Sequence, residues 1–449
     1  MVSILLGALS PLDGRYKQQV APLAAHFSES ALIRQRAGIE LAWLKTLAPL
    51  FDFSRDTDLA KLNSIVVDDN AAAAIKDIEK TTRHDVKAVE YWLTTRLQEL
   101  RLTELCPLTH FGCTSWDINN IALARMVTGA LQETMSPALA DIISALRQRA
   151  DKCATQPMLA RTHGQPASPT TVGKEFANFA ARLSPRAQKI AICRLPGKMN
   201  GAVGNYNAHI VARADLDWPR IAKTFVESQG LRFASHTTQI EPYDDLADLF
   251  GLLRGVNIIL LDFCRDMWGY IALDYFVQQA VAGEVGSSTM PHKINPIDFE
   301  NAEGNIGVAN ALFSHFSDKL PVSRWQRDLS DSTVLRNIGT AFGHTLLAWS
   351  AVLRGLQRVT LNRQVLENDL DANWQVLAEA VQTVIRAENA GDNAYEQLKE
   401  FSRGATVDKE RLQAFIHKLP VSDGAKARLL ALTPRDYCGI AARLAQETA

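Results

Sequence analysis

Apolar residues recur along most of this chain with the spacing of an α-helix. The clearest example lies between Pro242 and Gly283, where apolar residues three and four positions apart fall on one helical face. These residues are Leu246, Leu249, Leu253, Val256, Leu260, Phe263, Met267 and Ile271. A helix of about 36 residues would be roughly 54 Å long. That length favours a bundle of long antiparallel helices over a small compact core.

Three further segments show the same periodicity, and strand-like alternation is scarce. Two of these segments span roughly 297–320 and 335–360, and the third follows Pro169. The sequence therefore predicts an all-α protein with three largely helical domains. We place an N-terminal helical domain at 1–108, a central long-helix bundle with a catalytic loop at 109–362, and a small C-terminal helical domain at 363–449.

The long helices carry apolar residues on more than one face. Phe250, Ile258, Leu261 and Tyr270 fall off the main apolar stripe of the segment after Pro242. A helix that is apolar all round is usually buried, either in a large core of its own chain or against another subunit. We expect burial against other copies of the chain.

Composition narrows the possible partners and compartments. The 449 residues carry a formal net charge of −1, which gives no indication of a nucleic-acid or membrane-surface partner. The segment Val2–Leu9 is a poor signal peptide, and no apolar run approaches the ~18 residues of a membrane helix. Six scattered cysteines without a C-x-x-C pair are typical of reduced thiols in a cytoplasmic protein.

The segment from Gly283 to Asn305 concentrates the most chemistry. Its core, residues 287–296, reads Ser-Ser-Thr-Met-Pro-His-Lys-Ile-Asn-Pro. Glycines before this run give mobility, and its prolines end regular structure. A hydroxyl nucleophile or base, a cation and an amide thus lie together on one loop, as in a lid that carries catalytic groups. An ordinary polar surface loop is the alternative.

Other polar candidates are distributed along the chain. His163 precedes an expected helix start at Ser168-Pro169-Thr170, although a lone histidine is more often structural. Thr114 and Thr82 each begin a Thr-x-x-Asp pattern that predicts a helix N-cap, and a helix N-terminus also attracts anions. Arginines concentrate in 323–336, where they suit phosphate or carboxylate unless they form surface salt bridges.

Metal and cofactor motifs are not found. The sequence has no H-x-x-x-H or C-x-x-C pattern. The pair Gly201 and Gly204 lacks dinucleotide or P-loop spacing, so we interpret it as a turn. We therefore expect neither a metal nor an organic cofactor.

The 287–296 run resembles the signature of the fumarase/aspartase superfamily, whose members eliminate fumarate from succinyl-bearing substrates. Blocks at 10–16, 81–90, 114–120, 161–166 and 433–437 are most similar to the bacterial adenylosuccinate lyase family, so the resemblance covers nearly the whole chain. It implies elimination of fumarate from adenylosuccinate, giving AMP, and from succinyl-aminoimidazole-carboxamide ribotide, giving the carboxamide ribotide. These are steps of AMP and IMP biosynthesis. It also implies a homotetramer with active sites shared between subunits.

The resemblance assigns roles residue by residue. His163 is implied as the general acid and Ser287 as the base. Spacing alone does not decide between Ser287 and Ser288, and His292 is a rival base on chemical grounds. Implied substrate contacts are Arg15, Tyr16, Arg83, His84, Asp85, Thr114, Ser115, Gln239, Lys293, Asn295, Asn301, Arg327, Ser332, Thr333, Val334, Leu335 and Arg336. Among these, Thr114, Ser115, Lys293 and Asn295 suit the succinyl carboxylates, whereas the arginines suit the phosphate.

Two positions depart from the bacterial pattern, and two rival functions stay open. Arg83 stands where asparagine is usual and is expected to strengthen phosphate binding. Trp116 stands where an acid is usual, and we expect it to point away from the capping face with little effect. An argininosuccinate lyase would share the acid and the serine loop, but its substrate has no phosphate. A non-catalytic relative of the lens-crystallin kind would keep the tetramer and lose turnover.

Overall fold

The computed structural model describes residues 6–52, 57–279, 290, 293–389, 398 and 407–447. Across these residues the chain is mainly helical, which confirms the all-α prediction. No helix in these ranges is long and apolar enough to cross a membrane. All six cysteines are free of disulfide bonds.

The helices range from single short turns to rods of 29 residues. In chain order, the α-helices are α1 Lys17–Phe27, α2 Glu29–Leu47, α3 Asp69–Thr82, α4 Asp85–Glu99, α5 Ser115–Ala130, α6 Ser136–Lys152, α7 Val172–Ala191, α8 Asn207–Ala212, α9 Trp218–Ser228, α10 Asp244–Ala272, α11 Ile297–Lys319, α12 Ser330–Leu335, α13 Ile338–Arg358, α14 Arg363–Asp371, α15 Ala378–Ala387, α16 Lys409–His417, α17 Asp423–Ala431 and α18 Ala441–Gln446. A π-helical segment, Leu131–Met135, joins α5 to α6.

Short strands pair in three two-stranded sheets. β1 Pro157–Thr162 pairs antiparallel with β2 Gln165–Thr171, and β5 Phe276–Gln278 pairs antiparallel with β6 Val359–Leu361. β3 Pro196–Gly197 and β4 Arg232–Phe233 are parallel. Turns of 3-10 helix occur at Ala48–Leu50, Leu59–Ser64, Thr103–Leu108 and Trp374–Leu377.

The chain folds as two compact units. The first comprises 1–139, 186–258 and 304–349, and the second comprises 140–185, 259–303 and 350–449. The three-domain division at 108 and 362 stays a prediction.

The first unit buries an aromatic core between long helices. Phe313 of α11 lies 5.5 Å from the Phe250 ring of α10 and 6.0 Å from Phe342 of α13, measured between ring centroids. A buried amide fixes how these helices align, because Asn257 accepts a 2.9 Å hydrogen bond from the Trp349 indole. The same side chain donates to Asn310 over 3.1 Å. A buried polar group satisfied on both sides favours one register over others.

The second unit has its own core at the C-terminal helices. Leu370 of α14, Val381 of α15, Leu412 of α16 and Leu429 of α17 are buried together with Leu159 of β1. This cluster supports the hairpin that β1 forms with β2.

The predicted long helix is present but shorter than expected. Seven of its eight stripe residues are buried, and Ile271 is half-buried. The helix ends at Ala272 and does not continue toward Gly283. Asp274 adopts a left-handed conformation with φ of 57°, which terminates the helix, and Phe276 then begins β5.

The off-stripe apolar residues of α10 behave in two ways. Phe250 is fully buried within its own chain, so the alternative of an intrachain core holds there. Ile258 and Trp268 are 45% and 51% exposed, and Val308 of α11 is 46% exposed. The long helices therefore present apolar side chains on the surface of this chain.

Candidate active site

A cleft of about 610 Å³ in the first unit gathers ten of the predicted substrate contacts. These are Arg83, His84, Asp85, Thr114, Ser115, Gln239, Arg327, Ser332, Leu335 and Arg336. The volume is within the ~300–1,000 Å³ range of small-molecule sites. Residues more than 200 positions apart in sequence thus line one concave surface.

Two helix N-termini open on this cleft. Helix α5 begins at Ser115, and the Thr114 N–H donates to the Asp117 carboxylate over 2.8 Å, which confirms the predicted capping box. Unpaired N–H groups and the helix dipole at such an end favour an anion. Thr114 and Ser115 therefore lie at a helix end that favours an anion.

A buried ion pair holds the first turn of α5 in place. Asp117 and Lys198 are both fully buried, with 2.8 Å between the Lys198 Nζ and the carboxylate. The N–H groups of Asn200 and Gly201 also donate to Asp117, at 2.9 Å and 3.2 Å. The turn predicted at Gly201 is confirmed and supplies one of these donors.

The second cap differs from the predicted one. Thr82 is the last residue of α3, and Arg83 ends that helix in a left-handed conformation with φ of 50°. His84 caps α4, because its Nδ1 accepts the Lys87 N–H over 3.1 Å. The Thr-x-x-Asp expectation at Thr82 was wrong because a single-residue helix break at Arg83 moves the cap to His84.

Asp85 organises the cations of the cleft. Its carboxylate lies 2.8 Å from Arg36, which is 6% exposed, and 3.6 Å from Arg336. Burial pushes the pKa of Asp85 upward, but Arg36, Arg336 and the Val86 N–H outweigh it, and the pKa falls below its usual value. The Asp85 carboxylate thus holds two guanidinium groups of the cleft lining in place.

Arg327 and Trp116 both line the cleft, and the Arg327 guanidinium lies over the Trp116 ring. The guanidinium carbon lies 3.7 Å from the centroid of the Trp116 ring, and Nη1 donates to Asp331 over 2.8 Å. Trp116 is buried and lines the cleft. The indole thus contacts a cation that is itself a predicted substrate contact, and the expectation that Trp116 has little effect stays a prediction.

Comparison with known proteins shows the family of this chain. A family model described as lyase matches residues 14–310, and one described as adenylosuccinate lyase C-terminal matches residues 323–438. The chain belongs to the adenylosuccinate lyase family. The adenylosuccinate lyase of Legionella pneumophila is 48% identical, covering 99% of each chain. Those of Haemophilus influenzae and Escherichia coli K12 are each 47% identical, covering 98% of each chain.

Solved structures with low sequence identity share the fold. A fumarate lyase from Mesorhizobium sp. BNC1 matches with a TM-score of 0.76 at 17% identity, over 95% of this chain and 96% of that one. A 3-carboxy-cis,cis-muconate lactonizing enzyme from Pseudomonas putida matches with a TM-score of 0.69 at 23% identity, over 93% and 92%. At these identities the likeness concerns the fold alone.

In this member of the adenylosuccinate lyase family, the predicted acid lies on a tight hairpin in the second unit. His163 and Gly164 form the two-residue turn between β1 and β2, with φ of 53° and 75°. Two positive φ angles are typical of the type I′ turn that matches the twist of paired strands. The expected helix start at Ser168 was wrong, since that residue belongs to β2 and the helix begins at Val172. His163 is exposed at the tip.

The other predicted residues lie outside the cleft lining. Arg15 is exposed and lies over the Tyr16 ring at 5.8 Å, and Thr333 and Val334 belong to α12 without lining the cleft. In the second unit, Lys293 is exposed and Asn295 and Asn301 are half-buried. The predicted base Ser287 and its rival His292 lie outside the described residues.

Sequence reasoning missed Arg36 and Asn119 as members of the cleft. Arg36 Nε donates to the Asn119 amide oxygen over 2.7 Å, inside the protein. Arg36 lies in an ordinary helical pattern, so no local signal identified it. Asn119 belongs to the matched block 114–120, which was a usable signal.

The described ranges give no metal site. No group of three or more histidine, cysteine, aspartate or glutamate side chains there is arranged to hold an ion.

Glu241, a buried carboxyl in the first unit, should make the stability of the protein depend on pH. Burial raises the pKa of Glu241 to about 7, from an ordinary 4.5, although the Tyr243 N–H opposes the shift. Because burial favours the neutral carboxyl, the contribution of Glu241 to stability is fully present below pH ~4.5, the pKa of the unfolded chain. This contribution is lost as pH rises from there through about 7, the pKa in the folded state. We expect Glu241→Gln to raise the free energy of unfolding at pH 8 by up to ~3 kcal/mol, at ~1.4 kcal/mol per pKa unit.

The measurement is denaturant unfolding of Glu241→Gln and wild type at pH 5 and pH 8. The increase in the free energy of unfolding caused by Glu241→Gln should be present at pH 8 and much smaller at pH 5. Glu227→Gln, at an exposed position of α9, should show no such difference. An equal effect of Glu241→Gln at both pH values would contradict a proton-linked origin.

Proposed function

We propose that this chain eliminates fumarate from adenylosuccinate, giving AMP, and from succinyl-aminoimidazole-carboxamide ribotide, giving the carboxamide ribotide. The observation that carries the proposal is the cleft of the first unit, where four arginines and two helix N-termini line one surface in a member of the adenylosuccinate lyase family. Both substrates carry a phosphate and two carboxylates. A surface rich in guanidinium groups and helix N-termini suits all three anionic groups.

The reaction breaks a carbon–nitrogen bond by β-elimination. A base removes the proton on the carbon next to one succinyl carboxylate, and the electron pair left behind forms the carbon–carbon double bond of fumarate. The carbon–nitrogen bond electrons move to the leaving nitrogen, which takes a proton from a general acid. We assign the acid to His163 and the base to Ser287. Neither step calls for a metal or an organic cofactor.

Charge stabilisation is the chief demand on the rest of the site. Removing a proton beside a carboxylate increases the negative charge on that carboxylate, so preorganised donors lower the barrier. Thr114 and Ser115 at the start of α5 are suited to this task, because the buried Asp117–Lys198 pair fixes that helix end. We assign Lys293 and Asn295 to the succinyl group as well, and Asn301 to substrate contact.

We assign the phosphate to the arginines. Arg83 and Arg336 are exposed and Arg327 is half-buried, and all three line the cleft. We also assign contacts with the nucleotide part of the substrate to Arg15, Tyr16 and the segment 332–336. Gln239 is assigned to a contact near the purine or imidazole ring. Arg36 is buried and paired with Asp85, so its role is to hold the carboxylate that orients Arg336.

We also propose that the protein is a homotetramer and that it acts in the cytoplasm. Exposed Ile258, Trp268 and Val308 on the long helices support a homotetramer in which active sites draw on more than one copy. The near-neutral charge and unpaired cysteines support a cytoplasmic enzyme.

Replacement of Arg327 tests the phosphate assignment. Arg327→Leu should raise KM for adenylosuccinate by about ten- to a hundredfold, because a hydrogen bond to a charged group contributes ~1.5–3 kcal/mol. It should change KM far less for the dephosphorylated analogue. The measurement is the absorbance change on mixing enzyme with each compound.

A matched control lies three residues away. Arg324 is exposed and does not line the cleft, so Arg324→Leu should leave both KM values unchanged. If Arg327→Leu raised KM equally for adenylosuccinate and for the dephosphorylated analogue, phosphate recognition by this residue would be contradicted. No turnover of adenylosuccinate by wild-type protein would refute the function itself.

A further inference from the structure

Arg327 and Trp116 are linked through a closed ring of four side chains in the first unit. The Trp116 indole N–H donates to the Tyr243 hydroxyl over 2.6 Å, and that hydroxyl donates to Asp331 over 3.3 Å. The same Asp331 oxygen accepts from Arg327 over 2.8 Å, and the guanidinium carbon lies 3.7 Å from the Trp116 ring centroid.

The direction of every hydrogen bond in this ring is fixed. An indole N–H only donates, so the Tyr243 oxygen must accept from Trp116 and use its single proton toward Asp331. Burial raises the pKa of Tyr243 well above its usual value, so the hydroxyl keeps that proton. Asp331 therefore accepts from both Tyr243 and Arg327.

Two contacts together restrict Arg327 more than either does alone. A single hydrogen bond from Nη1 leaves the planar guanidinium free to turn about that bond. Contact with the flat face of Trp116 removes this freedom, and a cation over tryptophan contributes ~0.5–2 kcal/mol, more where water is excluded. Trp116 is 9% exposed and the Arg327 side chain 16%, so the contact is largely desolvated.

We propose that Trp116 is a positioning residue for substrate binding: anchored by Tyr243, its ring fixes the plane of the Arg327 guanidinium so that the remaining N–H groups address the phosphate of the substrate. The inference rests on the proposed function, in which Arg327 recognises that group. Trp116 acts through Arg327 and makes no contact with the reacting atoms. Its removal therefore changes KM and leaves kcat nearly unchanged.

A double-mutant cycle tests the inference. In Trp116→Leu, KM for adenylosuccinate should rise about tenfold while kcat stays within about twofold. Trp116→Phe keeps a ring face and loses the N–H anchor, so its KM should rise only about threefold. In an Arg327→Leu background, Trp116→Leu should cause no further change in KM, because the group that it positions is gone.

A second tryptophan provides the control. Trp325 is 92% exposed in the loop that carries Arg327 and does not line the cleft. Trp325→Leu should leave KM unchanged. Circular dichroism and Tm confirm folding of each variant, and Trp116→Phe keeps the test valid if Trp116→Leu fails to fold.

The outcomes separate the inference from the proposed function. If wild type turns over adenylosuccinate and Arg327→Leu raises KM but the Trp116 variants do not, the positioning role is refuted and the function stands. If Trp116→Leu has the same effect with and without Arg327, Trp116 acts independently and the inference is also refuted. If wild type has no turnover, the function fails. Calorimetry of AMP binding to wild type, Trp116→Leu, Arg327→Leu and the double variant still decides whether the two residues are coupled.

Discussion

His163→Gln should lower kcat by about two to four orders of magnitude while substrate binding is nearly retained. General acid catalysis contributes this much when the leaving group needs a proton, and glutamine keeps a hydrogen-bonding side chain that cannot deliver one. His163 lies on a two-residue turn, exposed at its tip, so the substitution disturbs no core. The measurements are kcat from initial rates and Kd from calorimetry with adenylosuccinate. Loss of binding with unchanged kcat would contradict the assignment.

Ser287→Ala provides the partner experiment for the base. It should lower kcat as strongly as His163→Gln, again with binding retained. If the acid and base of one site come from different copies of the chain, co-refolding equal amounts of the two inactive variants should restore activity. In a random mixture about a quarter of the sites would contain both wild-type residues. Activity at background, with mixed tetramers confirmed by mass, would place both residues on one copy.

Lys198→Met should destabilise the protein by ~3–5 kcal/mol. The substitution leaves the buried Asp117 carboxylate without its cation, and breaking a buried pair in this way costs that amount. Lys198 also donates to the Gly201 carbonyl over 3.0 Å, so a second buried acceptor loses its partner. Chemical denaturation measures the free energy of unfolding.

An exposed ion pair gives the matched control. Lys80 and Asp77 are paired on the surface, 75% and 72% exposed, and exposed pairs contribute ~0–1 kcal/mol. Lys80→Met should therefore have a small effect. If Lys80→Met and Lys198→Met lowered the free energy of unfolding by similar amounts, the N–H donors to Asp117 would be sufficient to stabilise its buried carboxylate without Lys198.

The parts of this structure that sequence predicts are those set by local signals. The apolar stripe of α10 requires only that one helix face be buried, and seven of its residues are buried as expected. Thr114 and Asp117 are three residues apart, and their cap forms within one turn. The resemblance in block 81–90 identified the cleft residues Arg83 and His84, even though the helix break between α3 and α4 was not foreseen.

The parts that sequence does not predict depend on contacts between distant segments. Asp117 was recognised as a cap residue, but its ion pair joins it to Lys198, 81 positions along the chain. Trp116 was recognised as a departure from the bacterial pattern, but only the fold brings Arg327 against its ring. The hairpin around His163 was missed because Ser168-Pro169-Thr170 indicates a helix start, whereas proline is also tolerated in an edge strand that donates few hydrogen bonds.

The two-residue turn at His163 constrains how this family member can vary in length. Side chains alternate between the faces of a strand, so an insertion or deletion of one residue that shifts the pairing of β2 against β1 would move the β2 side chains to the opposite face. Only a longer turn or a bulge, like the irregularity between Met158 and Ala160, would absorb the change. Cross-strand partners such as Pro157 and Thr171 would then no longer match. Indels are common in surface loops, but here a change in length would also alter how the two strands joined by the turn are paired.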